Sequence, residues 1–224
     1  MSMLISSWHY RLAILLFAMV YTTPLLANHC TDRHVIHYSK QANAVVLEYD
    51  VTHSLIAMEK DHPLLRVYGD GRVVVHYPSY MKQAGNYEST LSPEQMQRLL
   101  TSMATNCFFN FNPTAVLQER NNALQVKASE SINSNQPVLF NVSDSSTMQV
   151  TLTVQSIVEQ ANNGTTLIRS SNEVATQHID VAWKNLQIDA QRFSELNKIQ
   201  GIAAIDNDLR QLIKQTVVNS NNKL

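Results

Sequence analysis

Three histidines near the start of the chain could bind a metal, because imidazole is a common ligand of Zn(II) and Cu(II). They are His29, His34 and His37, with Cys30 among them. Positions 34 and 37 share one face of a helix but lie on opposite faces of a strand, and the two β-branched residues between them favour a strand. Binding of Cu(II) or Zn(II) by these histidines is one hypothesis for function; otherwise no cofactor is expected.

A tyrosine-rich loop offers a different chemistry. The loop is predicted between Pro78 and Leu91, and Tyr77, Tyr80 and Tyr87 lie in it or beside it. Tyrosine loses little conformational entropy on binding and presents both apolar area and a hydroxyl group. The main prediction is therefore a non-catalytic binding protein that uses these tyrosines to contact another protein or a small ligand. The alternative is that the rings pack over the edge of a sheet.

Motifs of the common enzyme classes are missing from the sequence. There is no HExxH, no GxSxG and no P-loop, and Gly69-Asp70-Gly71 lacks the third glycine of a dinucleotide-binding turn. Asp206-Asn207-Asp208 lies within a helical pattern and is interpreted as a solvated helix face rather than a calcium loop. An exported hydrolase with an unrecognised site stays open, because a Ser-His-Asp triad forms only in space.

Composition and the first residues predict an exported protein. The 224 residues carry a net charge of −1 and 44% hydrophobic residues, which supports one sizeable core and argues against a nucleic-acid surface. Residues 1–27 have a positive charge, an apolar run and a small residue at the end, as in a cleavable signal peptide. We expect a periplasmic or secreted protein, the alternative being a membrane anchor formed by residues 12–27.

The two cysteines fit that compartment. Removal of residues 1–27 would leave Cys30 and Cys107, and in an oxidising compartment a pair of thiols is expected to form a disulfide. The alternative is two unpaired, partly buried cysteines. No CxxC motif is present, so a thioredoxin-like redox centre is not supported.

The elements that would position these groups begin with a hairpin. Val45 to Val51 and Leu64 to Tyr77 are rich in β-branched and aromatic residues, and Asp70-Gly71 interrupts the second run. Asp-Gly between two such runs favours a two-residue hairpin loop. The opposite pairs expected for that loop are Arg66 with Val75 and Val67 with Val74.

Helix signals follow the hairpin. Ser92-Pro93-Glu94-Gln95 has the arrangement of a capping box and predicts a helix from Pro93 to about Thr105. Asn112-Pro113 begins a second, short helix expected to end near Arg120. Residues 121–137 are polar, include a candidate strand at 123–128, and are the best candidate for an internal boundary.

The second half of the chain changes from strand to helix periodicity. Alternating residues predict three strands: Val138, Phe140 and Val142; Met148, Val150, Leu152 and Val154; and Ile179, Val181 and Trp183. A turn is expected at Asn162-Asn163-Gly164, and an amphipathic helix from about Asp189 to Thr216, with a candidate break near Ser194 or Gly201. The predicted fold is α+β: residues 28–218 form one domain with an antiparallel sheet, a central capped helix and a long C-terminal helix, followed by a polar tail at 219–224.

The segment from about Leu64 to Phe111 resembles a unit found in exported bacterial proteins of unknown function. The shared features are a strand, an Asp-Gly turn, a second strand, a glycine-containing loop and a helix that opens with Leu91-Ser-Pro-Glu94 and has a Phe-rich exit. The resemblance implies no activity and no functional residues.

Overall fold

A computed structural model describes residues 34–53, 62–134, 146–160, 166–169 and 176–221. The strands are β1 (His34–His37), β2 (Val45–His53), β3 (Leu65–Tyr68), β4 (Arg72–Tyr77), β5 (Gly85–Thr90), β6 (Ser146–Val154), β7 (Ser156–Gln160), β8 (Thr166–Arg169) and β9 (Gln177–Lys184). The helices are α1 (Pro93–Thr105), α2 (Pro113–Ser134), α3 (Leu186–Arg192) and α4 (Asn197–Asn221), with a short 3₁₀ turn at Phe108–Asn110.

The strands form two antiparallel sheets. The larger sheet has the order β5-β4-β3-β2-β6-β9, and the smaller one has the order β1-β7-β8. All recorded strand pairs are antiparallel. Together with the capped helix α1 and the long C-terminal helix α4, this confirms the predicted α+β class.

The main core lies between one face of the larger sheet and the helices. The predicted alternation on β6 is confirmed, because Met148, Val150, Leu152 and Val154 are all buried. The same holds at the end of β9, where Val181 and Trp183 are buried while the residues between and after them are exposed. Helix α4 packs across β4 and β5 and against α1 and α3. One-sided burial of the sheet explains the period of two that the sequence shows.

The hairpin between β3 and β4 exists, but its predicted register is wrong by one residue. Val75 lies opposite Leu65 rather than Arg66, and Val74 lies opposite Arg66 rather than Val67. The loop contains three residues instead of two: the Gly71 N–H donates to the Tyr68 carbonyl, and Gly71 has a φ of 89°. This is a tight turn followed by a left-handed glycine. All four inward residues of this pair are consequently apolar and fully buried: Leu65, Val67, Val73 and Val75.

The loop predicted from Pro78 to Leu91 contains a strand in its second half. Only its first part is a turn, and β5 then pairs with β4 over its whole length, from Gly85 opposite Tyr77 to Thr90 opposite Arg72. The error arose because β5 contains polar residues and a glycine, whereas strand prediction relies on β-branched and aromatic residues. An edge strand with a polar outer face contains few of these β-branched and aromatic residues, so its sequence predicts a strand only weakly.

Helix α1 confirms the capping-box prediction. The Ser92 hydroxyl accepts from the Gln95 backbone N–H, and the Gln95 side chain accepts from the Ser92 N–H at 2.7 Å. The predicted apolar face packs inward, with Met96, Leu100 and Met103 fully buried. Local capping chemistry and the spacing of apolar residues were enough to locate this helix.

Helix α2 contradicts the prediction of a short helix ending near Arg120 and of a strand at 123–128. It continues to Ser134, through much of the region 121–137 suggested as an internal boundary. Its polar side chains form ion pairs with the last part of the chain: Glu119 with Lys198 at 2.9 Å and Lys127 with Glu195 at 3.3 Å. A helix with few buried residues lacks the apolar stripe that identifies helices in sequence. The division into domains stays a prediction.

The predicted C-terminal helix is broken where expected near Ser194, since α3 ends at Arg192 and α4 begins at Asn197. The chain does not break at Gly201, which lies inside α4. A Cβ atom at Gly201 would lie 2.5 Å from the Asn106 carbonyl oxygen, so this glycine permits close packing of α4 on the end of α1.

The remaining predictions fall partly outside the described residues. The strand at Val138, Phe140 and Val142 and the turn at Asn162-Asn163-Gly164 lie there entirely. In the predicted polar tail, helix α4 continues to Asn221, and the Ser220 hydroxyl donates to the Glu88 carbonyl at 2.7 Å.

Candidate functional site

A cleft of about 580 Å³ lies between the turn after β4 and the second half of α4. Apolar side chains form much of its wall: Val51, Leu64, Tyr77, Met81 and Ile213. Two consecutive turns shape the chain beside it, closed by hydrogen bonds from Met81 N to the Pro78 carbonyl and from Ala84 N to the Met81 carbonyl. The cleft therefore has an ordered wall on the sheet side and a helical wall opposite.

Three cationic side chains also line the cleft: Lys82 from the turn, and Arg210 and Lys214 from α4. Arg210 and Lys214 are four residues apart on the helix, so they point to the same side. Among the described residues that line the cleft, none carries a carboxylate. The arrangement places two lysines, and an arginine that is paired with Asp206, beside an apolar wall, which suits an anion that has an apolar part.

The structure brings together two of the three predicted tyrosines. Tyr77 lines the cleft, and Tyr87 packs edge-on against it with 5.9 Å between ring centroids. The Tyr87 hydroxyl donates to the Gln83 carbonyl at 3.0 Å, which fixes the turn that carries Lys82. Tyr80 is 52% exposed and is not among the residues that line the cleft.

The phenol of Tyr77 is held in its neutral form at physiological pH. Burial, followed by the neighbouring Tyr87, raises the pKa of Tyr77 above its ordinary value. A neutral phenol keeps its proton and can donate a hydrogen bond to an anionic group in the cleft.

A buried polar network centred on Asp206 fixes the position of Arg210. Asp206, one turn earlier on α4, is 1% exposed, and its Oδ2 atom accepts from Arg210 Nε at 2.8 Å and from Gln187 Nε2 at 2.7 Å. Its Oδ1 atom accepts from the Tyr49 hydroxyl at 2.6 Å. Burial and this hydrogen bond raise the pKa of Tyr49 strongly, so the phenol stays a donor. The network fixes one edge of the guanidinium, whose side chain remains 40% exposed at the cleft.

The interpretation of Asp206-Asn207-Asp208 as a solvated helix face is therefore wrong for Asp206. Asp208 does lie at the surface, where it accepts from the Ser102 hydroxyl at 2.7 Å. The missed signal was positional: residue 206 falls between the buried positions Ile202, Ile205 and Leu209, within the stripe that faces the core. Arg210, four residues after Asp206, was missed because a half-exposed arginine on a helix gives no signal of a site in the sequence.

The histidine hypothesis is only partly within the described structure. His29 lies outside the described residues, while His34 and His37 are the ends of strand β1. Positions three apart in a strand alternate to opposite faces, so the helical arrangement that would place both on one face is not formed. Within the described ranges no group of three metal-ligating side chains is found. Metal binding by His29, His34 and His37 stays a prediction.

The hydrolase hypothesis requires a histidine beside a serine or a carboxylate. Nδ1 of His76 contacts Asn86 Oδ1 at 2.7 Å, and Nδ1 of His178 contacts Thr153 Oγ1 at 3.0 Å. His62 stacks near His76 with 5.0 Å between ring centroids. None of these contacts is a nucleophile-base pair with serine or a base-carboxylate pair.

The predicted signal segment and Cys30 lie outside the described residues. In the described part of the chain, no helix is both long and apolar enough to span a membrane, and no cysteine there is a free thiol. Cys107 has a positive φ of 63° and comes directly after α1, which contacts β1.

No family model matches the chain, and neither the curated proteins nor the solved structures contain a match. The geometry of the cleft is therefore the main guide to function.

Proposed function

We propose that this protein is an exported, non-catalytic binding protein whose cleft beside Tyr77 takes a small amphipathic anion. The observation that carries the proposal is the pairing of an apolar wall with Lys82, Arg210 and Lys214 in one cleft. An acyl chain or another apolar group would cover Met81 and Ile213, while its carboxylate or phosphate would contact the cations.

The two tyrosines have different roles in this proposal. Tyr77 contacts the ligand and donates a hydrogen bond from its neutral phenol. Tyr87 is a positioning residue, since it supports the Tyr77 ring and the backbone at Gln83. Tyr80 contributes to binding only if the partner is a protein that also covers the outer side of the turn.

Dodecanoate is the probe that tests the cleft. We expect saturable binding by titration calorimetry, and a Kd at least about tenfold weaker in the double variant Lys82→Glu/Lys214→Glu, because two attractive charges become repulsive. Binding should weaken as salt is raised. The matched control is Lys198→Glu, on the first turn of the same helix, where the lysine pairs with Glu119.

Further outcomes separate the alternatives. Tyr77→Ala should weaken dodecanoate binding and Tyr80→Ala should leave it unchanged. Equal binding of dodecyltrimethylammonium would contradict an anion site, as would equal weakening by Lys198→Glu. Absence of saturable dodecanoate binding to the wild-type protein would also contradict the proposal.

Export and the Cys30–Cys107 disulfide belong to the same proposal. Strand β1 begins four residues after Cys30, a distance of at most about 14 Å along an extended chain, and α1, which ends just before Cys107, contacts that strand. A bond between them would tie the N-terminal segment to the core.

Intact mass spectrometry tests both parts. Protein purified from its native compartment is expected to lack residues 1–27 and to gain about 2 Da on reduction, the mass of the two hydrogens added to one disulfide. A full-length mass would instead support the anchor at residues 12–27, and no change on reduction would contradict the disulfide.

A further inference from the structure

A second pocket, of about 410 Å³, lies at the other edge of the larger sheet. It is bounded by the end of the edge strand β9, the start of α3 and one side of α2. The side chains that matter here are Leu117, Arg120, Trp183, Asn185 and Asp189. This pocket shares no residue with the cleft beside Tyr77, so a ligand here would bind independently of the one proposed for that cleft.

Three polar atoms of this pocket are buried without a hydrogen-bond partner in the described structure: Asn185 Oδ1, Asp189 Oδ1 and Arg120 Nε. Asp189 as a whole is 1% exposed. Its other oxygen, Oδ2, accepts from Trp183 Nε1 at 3.0 Å. Arg120 Nε lies 2.8 Å from the same oxygen, but the contact is a charge contact rather than a directed hydrogen bond.

Unpaired buried polar atoms destabilise a folded chain, and native proteins rarely leave several of them together. The backbone of Asn185 also costs free energy, since its φ of 66° is one that residues other than glycine seldom adopt. Asn185 lies one helical turn before Asp189, whose N–H donates to the Asn185 carbonyl at 2.9 Å. Two acceptors and one donor are thus gathered at one small pocket.

We infer that this pocket binds a neutral, monosaccharide-sized molecule that carries hydroxyl or primary amide groups. Such groups both donate and accept: their O–H or N–H atoms satisfy Asn185 Oδ1 and Asp189 Oδ1, and their oxygen accepts from Arg120 Nε. The apolar side of the ligand packs against Leu117 and the rim of Trp183.

Charged ligands fit these atoms less well. An ammonium group has no lone pair for Arg120, and the Asp189 charge that would attract it already has its counter-charge in Arg120 at 2.8 Å. A carboxylate cannot donate to Asp189 Oδ1, and the Arg120 charge that would attract it is already paired with Asp189. The pattern of donors and acceptors therefore selects a neutral ligand.

The indole of Trp183 reports on binding because it donates to Asp189, one of the ligand-contacting residues. In the intact protein, its N–H resonance in a ¹H-¹⁵N NMR spectrum is distinguishable from that of Trp8 by mutation, as the chain has two tryptophans. We expect methyl α-D-glucopyranoside and acetamide to shift this resonance saturably. Methylammonium and acetate should not shift it.

Asn185→Gly is the decisive variant. Glycine adopts the positive φ without strain, so the fold is kept while the Oδ1 acceptor is removed. Affinity for the two neutral probes should fall about fivefold to tenfold, as expected for one lost hydrogen bond in a desolvated site. The control is Asp180→Asn, an exposed position on β9, the strand that carries Trp183, where the carboxylate accepts from the Thr151 hydroxyl.

Each remaining outcome overturns the inference. These outcomes are no saturable shift with either neutral probe, equal binding by the Asn185→Gly variant, or preferential binding of methylammonium or acetate.

Discussion

Replacing Asp206 with alanine is expected to lower the free energy of unfolding by about 2–4 kcal/mol, because each buried donor left without its acceptor costs roughly 1–3 kcal/mol. The carboxylate is 1% exposed and accepts three hydrogen bonds, from Tyr49, Gln187 and Arg210. Without it, the buried phenol of Tyr49 loses its partner, and Arg210 loses the charge that offsets its desolvation. Urea unfolding followed by circular dichroism measures the loss.

Asp208→Ala is the matched control, two residues further along the same helix. Asp208 accepts from Ser102 at the surface, and its removal should cost less than about 1 kcal/mol. Equal effects of the two substitutions would contradict the structural role assigned to Asp206. Under conditions in which the Asp206 variant remains folded, it should also bind dodecanoate more weakly than the wild-type protein, because Arg210 is no longer held at the cleft.

Replacing Gly69 with alanine is expected to destabilise the protein by about 3 kcal/mol, at the upper end of the usual cost of overpacking. Gly69 has no positive φ, so backbone strain at this residue is not the reason. A Cβ atom there would overlap the backbone carbonyl of Ser39 and lie 2.9 Å from that of Gln41. Both obstacles are main-chain atoms, which cannot move aside as the end of a side chain would.

Asp70→Ala separates this packing effect from the chemistry of the turn. The Asp70 carboxylate accepts from the Arg72 N–H at 3.0 Å in an exposed setting, so its loss should cost about 0.5–1 kcal/mol. Thermal unfolding of the two variants side by side is the measurement. If Gly69→Ala costs no more than Asp70→Ala, the close approach of the Ser39 segment is not a constraint on the fold.

These two residues show where inference from the sequence stopped. Nothing in the sequence explains glycine at position 69 beyond its place beside Asp70-Gly71, because the neighbour that requires it is some 30 positions earlier in the chain. Asp206 was assigned to solvent because Asp-Asn-Asp is a polar run, whereas Tyr49 and Gln187 come to it from other elements. Two of the three donors that make burial of Asp206 possible come from distant residues, and a local pattern does not contain them.

In the candidate sites, too, some residues could be identified from the sequence and others only from the structure. Tyr77 and Tyr87 could be selected from residue type alone, and they do contact each other beside a cleft. The cations opposite them, Arg210 and Lys214, lie more than 120 positions later in the sequence. The pocket at Asn185 and Asp189 gave no signal in the sequence, because what distinguishes it is hydrogen-bonding capacity left unused after folding.

The sequence by itself determined the elements whose causes are local. The capping box at Ser92, the period of two on β6 and the change to a helical period before α4 each act within a few residues, so the pattern and the structure agree. Tertiary structure alone decided the register of the β3–β4 hairpin, the strand character of β5, the length of α2 and the burial of Asp206. Each of these depends on contacts between distant segments, whose free energies outweigh local propensity.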